Sequence, residues 1–288
     1  MPLTLLQIII LGLVQGAAEL LPVSSSAHVI VAEKLMRLDP SSPEMTFLLV
    51  MLHTGTMFAV IVYFWKAWRE SYFSSAEGFK NIFKTVVVAT GFTLALGFVL
   101  KKIIEKILSH GGSKGEVEQL FSRLPLIAAA LAAVGVLIII SAMRVKNRSA
   151  GKSSVTLFDS ICIGIMQAIC LPFRGFSRSG ATISTGLLLG ISRRAAEEFS
   201  FALAVVLTPA AIAHEGLRLI KAHVHISGPG GLAPLFLPGL LGMICSFVSG
   251  LVALWLLSSW LEKGRWGFFG YYCIIAAGVV FWLAKMGY

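Results

Sequence analysis

Apolar residues run along the chain in eight long segments, and charged residues or clusters of glycine and proline separate one segment from the next. A helix needs about 20 apolar residues to cross a lipid bilayer. The uncharged runs at 45–65, 124–143 and 266–284 are each close to that length. The pattern therefore predicts an all-α, polytopic membrane protein, with segments at 3–36, 45–66, 83–108, 124–143, 155–192, 197–220, 233–261 and 267–285.

The eight segments divide into two sets of four, and the two halves of the chain resemble each other in sequence. Internal repeats of this kind indicate a duplicated architecture. We therefore expect one integral membrane domain made of two repeats, at 1–150 and 151–288. A shift of 152 positions superposes identical residues at Gly12 and Gly164, Gln15 and Gln167, Phe47 and Phe199, and Thr56 and Thr208.

Polar inserts interrupt the first and the fifth segments, with the sequences PVSSSAH at 22–28 and RGFSRSGAT at 174–182. Irregular backbone inside a membrane is tolerated only where protein buries it or where it lines a wet cavity. Each insert therefore predicts the tip of a re-entrant helix-loop-helix hairpin. Each half then crosses the membrane three times, which gives six transmembrane helices in inverted-topology repeats. The two tips are expected to meet and form one central site.

Composition supports the membrane assignment and excludes a soluble enzyme. Charged residues make up only 13% of the chain and apolar residues 57%, whereas soluble domains carry about 25% charged residues. The net charge of +10 comes from 24 Lys and Arg residues scattered between the segments, as expected at a membrane rim and not at a nucleic-acid surface. The four cysteines lie within apolar segments without metal-ligand spacing, so neither a disulfide framework nor a zinc site is expected.

Charged side chains within apolar segments are candidates for function, because burying a charge in lipid is costly. Glu19 follows Gln15 by four residues, so both side chains lie on one helix face. Together they suit either a divalent cation or a catalytic proton, and charge balance with an intramembrane arginine is the structural alternative. His53 and Thr56, inside the second segment, either line the same cavity or pack between helices.

The first polar tip carries three consecutive serines and a histidine. Ser25 and His28 are three residues apart, so a hydroxyl and an imidazole base are near enough in sequence to form an activated nucleophile. Ser24 and Ser26 flank Ser25. The same serines also suit capping of the helix that follows them, by accepting hydrogen bonds from its first N–H groups.

The second tip has the composition of an anion site. Three hydroxyl side chains, those of Ser177, Ser179 and Thr182, surround Arg178, and a helix is expected to begin directly after them. Backbone N–H groups at a helix start and a planar guanidinium are the groups with which proteins hold phosphate oxygens. If Arg178 only neutralised Glu19, the glycines and hydroxyls would have no explanation. The sequence therefore predicts a phosphate site.

Three stretches of the chain resemble the bacterial undecaprenyl-diphosphate phosphatases, the bacitracin-resistance family. They are LGLVQGAAELLPVSSSAH at 11–28, GFSRSGATIS at 175–184 and EFSFALAVV at 198–206. The resemblance implies hydrolysis of the terminal phosphate of undecaprenyl diphosphate, which recycles the lipid carrier of peptidoglycan synthesis. It also implies a divalent metal, Mg or Ca, a multi-pass location in the bacterial plasma membrane, and six crossings with two re-entrant hairpins.

The resemblance carries roles onto residues of both tips. It places the metal at Gln15 and Glu19 and leaves open whether Ser25 or His28 attacks phosphorus. The expected catalytic residues are Ser25, His28, Glu19 and Arg178, and the expected phosphate-binding residues are Ser177, Arg178, Ser179, Thr182, Ser24 and Ser26. The chain departs from the family's usual residues at three places. Ala18 stands where the family usually has Thr, Ser26 and Ala27 stand where it often has Thr-Gly, and Arg174 stands where it commonly has Pro.

A carrier or flippase for an anionic lipid is the alternative function, because inverted repeats and broken helices are also transporter architecture. The serine, histidine and glutamate near the anion site separate the two functions, since a carrier has no use for a nucleophile. The expected partners are the polyprenyl diphosphate substrate and membrane lipid, with no nucleic acid. The sequence leaves the oligomeric state, a homodimer included, open.

Overall fold

A computed structural model describes residues 3–39, 42–108, 123–145, 151–223 and 233–287. These residues form ten helices. Their β-type pairing is limited to one isolated bridge, between Lys152 and Ile191. The prediction of an all-helical chain is therefore confirmed. The helices are α1 Leu5–Leu20, α2 Ser25–Leu35, α3 Pro43–Ser71, α4 Ala76–Leu108, α5 Leu124–Val145, α6 Leu157–Cys170, α7 Arg178–Leu188, α8 Arg193–His223, α9 Ala233–Glu262 and α10 Gly267–Lys285.

Each half of the chain begins with a pair of short helices, and the predicted polar inserts are the turns within these pairs. The turn at 21–24 separates α1 from α2, and the irregular stretch at 171–177 separates α6 from α7. The first helix of both pairs starts with a capping box, formed by Thr4 with Gln7 and by Thr156 with Asp159. In a capping box the side chains satisfy the free N–H groups of the first turn, which fixes where the helix starts.

Five of the helices in the described part of the chain are long and apolar enough to cross a membrane, namely α3, α4, α5, α9 and α10. Their outer faces carry large apolar side chains, as lipid requires. On α4, for example, Phe83 is 61% exposed and Phe98 is 58% exposed. The chain is therefore a multi-pass membrane protein. Helix α8, the remaining predicted span, has charged residues in its first turns and Pro209 inside it. The exact six crossings and the re-entrant hairpins stay predictions.

Short helices pack against long helices of the other half through glycine. A Cβ at Gly12 of α1 would lie 2.6 Å from the Cβ of Cys245 on α9, and a Cβ at Gly164 of α6 would meet the carbonyl oxygen of Ala89 on α4. Only glycine permits such close helix contacts. These positions are equivalent under the 152-residue shift. The division into repeats at 1–150 and 151–288 stays a prediction, and residue 150 lies outside the described residues.

Helix α7 is the most enclosed element near the second tip, with residues 179–187 all buried. It packs against α5, α6 and α8. The hydroxyl of Ser184 on α7 is hydrogen-bonded to Ser141 Oγ over 3.0 Å, and the indole N–H of Trp266 donates to both hydroxyls. This buried network fixes the position of α7, and therefore of Arg178 at its first residue.

Candidate active site

The polar turns of the two short-helix pairs face a common cavity of about 520 Å³. Side chains from α1, α2, α3, α8 and the second tip line it. Most of the predicted site residues are on its wall, including Gln15, Glu19, Ser24, Ser25, Ser26, Ser177, Arg178 and Ser179.

The two tips touch each other directly, as the sequence predicts. The backbone N–H of Gly175 donates to Ser26 Oγ over 3.4 Å, and Ser179 Oγ donates to the carbonyl oxygen of Leu21 over 3.4 Å. Gly175 has φ +101°, and a Cβ there would also meet the carbonyl oxygen of Ile127 on α5. Glycine is therefore required at this position by both its backbone conformation and its surroundings.

Glu19, near the end of α1, is hydrogen-bonded to a residue of each tip. Its Oε2 accepts a hydrogen bond from Ser25 Oγ over 2.5 Å, and its Oε1 accepts one from Arg178 Nη2 over 3.1 Å. The side chains of Glu19 and Arg178 are 21% and 22% exposed, so the ion pair faces the cavity and is not sealed in the core. The serine hydroxyl therefore points at a carboxylate that is itself held by a guanidinium.

Gln15 lies one helical turn before Glu19, and its side-chain amide is also hydrogen-bonded. Its Nε2 is 2.9 Å from His53 Nδ1 and donates to Glu19 Oε2 over 3.4 Å. Of the two interpretations of His53 and Thr56, the structure supports cavity lining for His53. Thr56 is buried, and its hydroxyl donates to the carbonyl oxygen of His53. Sequence reasoning could not choose between these interpretations, because His53 reaches the site from α3.

The second tip presents the start of α7 to the cavity. Ser177 is the N-cap of this helix and its Oγ accepts from the N–H of Gly180 over 3.3 Å. Nη1 of Arg178 is buried and has no hydrogen-bond partner among the described residues. A buried donor without a partner is costly. An anion in the cavity would satisfy it.

Two of the expected site residues do not line the cavity. Thr182 is 1% exposed, and its hydroxyl lies 2.6 Å from Ser200 Oγ on α8, behind the cavity wall. His28 has Nδ1 at 2.8 Å from the carbonyl oxygen of Ser24 and Nε2 at 2.7 Å from the hydroxyl of Tyr272 on α10. The expected pair of Ser25 and His28 is therefore not formed, because both ring nitrogens have other partners.

The serine before α2 has an unusual backbone. Ser24 occupies the N-cap position with φ +68°, and its side chain makes no capping hydrogen bond. Its hydroxyl lies 3.2 Å from Ser26 Oγ. The capping interpretation of these serines is therefore wrong for Ser24. A positive φ at a non-glycine residue is strained and persists only where the surrounding structure imposes it.

The family model described as bacitracin resistance protein BacA matches residues 8–279 of the chain. The chain belongs to the BacA family. It is 57% identical over 282 residues to undecaprenyl-diphosphatase 2 of Acinetobacter baylyi, covering 97% of this chain and 98% of the relative. It is 34% identical to undecaprenyl-diphosphatases of Desulfosudis oleivorans, with 96% and 98% covered, and of Moorella thermoacetica, with 98% and 100% covered. The family resemblance inferred from the motifs is therefore confirmed.

The side chains that a metal ion would use in this BacA family member are few. The described residues contain no group of three or more His, Cys, Asp and Glu side chains placed to hold a metal. Glu19 would supply a carboxylate oxygen, and Gln15, on the same helix face, would supply its amide oxygen after a rotation of the amide group, since its Nε2 is the atom now directed at Glu19 Oε2. Such a sparse oxygen set fits an ion that keeps several waters and takes its other ligands from phosphate, as Mg²⁺ does. It does not form a full protein cage.

Proposed function

We propose that this chain removes the terminal phosphate of undecaprenyl diphosphate, giving undecaprenyl phosphate and inorganic phosphate. The hydrogen bond from Ser25 Oγ to Glu19 Oε2, at 2.5 Å in a cavity that also holds Arg178, carries the proposal. A hydroxyl paired with a carboxylate beside an anion site is the arrangement of a phosphoryl-transfer enzyme. The names of the relatives, undecaprenyl-diphosphatase, support the same reaction.

Ser25 is the nucleophile in this proposal and Glu19 is its base. The Ser25 proton passes to Glu19 Oε2 as Oγ bonds to the terminal phosphorus, and the bond from that phosphorus to the bridging oxygen breaks. The lipid monophosphate leaves with the bridging oxygen. A water molecule then cleaves the phosphoserine, giving inorganic phosphate and restoring the hydroxyl. This choice replaces the expected assistance by His28, whose ring nitrogens are bound elsewhere.

Arg178 and the start of α7 hold the transferred phosphate. Nη1 of Arg178 has no hydrogen-bond partner in the described protein and is free to donate to a phosphate oxygen. The N-terminal end of α7, where Ser179 lies on the cavity wall, adds backbone N–H groups and a favourable dipole. Because charge builds up on these oxygens during transfer, fixed donors here lower the barrier.

A divalent cation, Mg or Ca, belongs to the proposal as a cofactor held by Glu19 and Gln15. Such an ion would neutralise negative charge on the phosphate oxygens and orient the diphosphate. The protein residues position the substrate and move the proton.

The location that belongs to this proposal is the bacterial plasma membrane, where the lipid tail of the substrate is embedded. The cavity wall beyond the polar tips has an apolar part, formed by side chains from α2, α3 and α8. The first isoprene units of the lipid lie along this wall, and the rest of the tail extends between helices into the bilayer.

Phosphate release by the purified protein in detergent separates an enzyme from an anionic-lipid carrier. Wild-type protein is given undecaprenyl diphosphate and Mg²⁺ without any membrane gradient, and inorganic phosphate is measured. We expect turnover by the wild type, and loss of turnover in Ser25→Ala. Ser74→Ala, at an exposed serine in the turn before α4, is the matched control and is expected to be fully active. Binding of the lipid without phosphate release would contradict the enzyme and favour the carrier.

A further inference from the structure

A second pair of opposite charges lies on the wall of the cavity, and the mechanism proposed above does not use it. Glu33, on α2, is only 3% exposed. Arg174 belongs to the second tip and is exposed. Both residues line the cavity that contains Glu19 and Arg178.

Helix α2 places this pair relative to the nucleophile. Its cavity face follows the spacing of neighbouring helix positions and consists of Ser26, Val29, Ile30 and Glu33. Glu33 is seven residues beyond Ser26, which is about 10 Å along a helix axis. Arg174 precedes Gly175, whose N–H is hydrogen-bonded to Ser26 Oγ. The Arg174 backbone is therefore held beside Ser26, on the cavity face of α2 that continues two turns further to Glu33.

The surroundings of the second pair are those expected for the lipid side of the substrate. Val29, Leu49, Val50, Phe173 and Ile212 form the apolar part of the cavity wall. A polyprenyl diphosphate presents its terminal phosphate first, then a second phosphate, then the isoprene chain. With the terminal phosphate at Ser25 and the chain on the apolar wall, the second phosphate falls between them.

The two phosphates of the substrate also call for a second guanidinium, beside the divalent cation proposed at Glu19 and Gln15. The formal charges of Glu19, Glu33, Arg174 and Arg178 sum to zero, and all four residues line the cavity. Arg178 is already paired with Glu19. A diphosphate brings several negative charges on two phosphates, and one guanidinium contacts only one of them well.

We propose that Arg174 binds the phosphate that stays on the lipid, and that Glu33 holds Arg174 in position until this phosphate takes its place. The inference rests on the proposed function and adds to it a subsite for the polyprenyl monophosphate group. Arg174 then determines affinity for the diphosphate substrate and for the lipid monophosphate product. It does not contact the inorganic phosphate that is released.

The first test compares Arg174→Gln with the wild type in detergent, using farnesyl diphosphate as a soluble substrate. A charge-assisted hydrogen bond contributes about tenfold to hundredfold in affinity. We expect KM, and the inhibition constant of farnesyl phosphate, to rise by about tenfold or more, while the inhibition constant of inorganic phosphate stays the same. Arg144→Gln, at the exposed end of α5, is the matched control and is expected to change none of these constants.

The second test uses Glu33→Gln, alone and combined with Arg174→Gln. Removing the carboxylate removes the negative charge that competes with the phosphate for Arg174, so the single variant is expected to bind farnesyl phosphate more tightly than the wild type. In the Arg174→Gln background the same change is expected to have no effect, because the Arg174 guanidinium is absent. A merely structural role for Glu33 would instead weaken binding equally in both backgrounds.

Each result is decisive for the subsite. A fall in kcat at unchanged KM for Arg174→Gln, or an equal weakening of inhibition by inorganic phosphate, would place Arg174 at the terminal phosphate and overturn the proposal. Unchanged constants would overturn it as well. If the wild type itself released no phosphate, the proposed function would fail, and farnesyl phosphate binding would still report on Arg174 separately.

Discussion

Replacing Arg178 by alanine tests the phosphate-binding part of the site. The wild-type guanidinium donates to Glu19 Oε1 through Nη2 over 3.1 Å, and its Nη1 is buried without a hydrogen-bond partner in the described protein. Loss of one fixed donor to developing charge costs about 10² to 10³ in kcat. We therefore expect kcat of Arg178→Ala to fall by about this factor, equivalent to about 3 to 4 kcal/mol of transition-state stabilisation.

The same substitution has a smaller effect on folding. The ion pair has side chains 22% and 21% exposed, so it lies between a surface pair, at about 0 to 1 kcal/mol, and a buried pair, whose disruption costs about 3 to 5 kcal/mol. Thermal unfolding in detergent is expected to show a modest loss of stability. The variant should remain folded at the temperature of the assay.

Phosphate release under saturating substrate measures kcat for the wild type and for each variant. Arg178→Lys should recover only part of the activity, because lysine lacks the two parallel donors of a guanidinium. Arg193→Ala is the matched control, since Arg193 donates to the carbonyl oxygen of Glu262 away from the cavity. A folded Arg178→Ala protein with wild-type kcat would refute the assignment of Arg178 to the transferred phosphate.

Three further substitutions test other parts of the site. Glu19→Gln keeps the shape of the side chain but removes its charge, so the maximal rate should fall. A rise in the Mg²⁺ concentration that gives half the maximal rate would show that Glu19 also holds the metal. An unchanged rate and an unchanged Mg²⁺ titration would contradict Glu19 both as base and as metal ligand. Gly175→Ala should lose activity and thermal stability, by at least about 1 to 2 kcal/mol for a positive φ, whereas Gly91→Ala, with open space around its Cβ, should lose neither. Tyr272→Phe removes the hydroxyl partner of His28 and should lower kcat far less than Ser25→Ala does; equal losses would restore His28 to the chemistry.

The helix pattern was predictable because the apolar periodicity and the polar inserts are local features. The first and fifth segments each divide into two helices at their inserts, and the predicted contact between the tips is present at Ser26 and Gly175. The second turn also follows from its residues, since Gly175 there has φ +101°, whereas the positive φ of Ser24 in the first turn has no counterpart in its residue type.

The partners within the site were less predictable. Ser25 and His28 are three residues apart, but the Ser25 hydroxyl rotates to the Glu19 carboxylate, which is a stronger acceptor than a neutral ring nitrogen. Thr182 falls within the same motif as Arg178, yet one further helical turn directs it to Ser200. These outcomes depend on which long helix packs behind each short one, and sequence spacing carries no information about that packing.

Trapping the enzyme during turnover tests the central claim, which is attack by Ser25 on the terminal phosphorus with Glu19 as base. Wild-type protein is mixed with undecaprenyl diphosphate labelled in the terminal phosphate, quenched in acid within one turnover, and digested for mass spectrometry. We expect label on the peptide that contains Ser25, and none in Ser25→Ala, which should also release no phosphate. Phosphate release by Ser25→Ala at the wild-type rate, with no labelled serine in either protein, would contradict attack by Ser25.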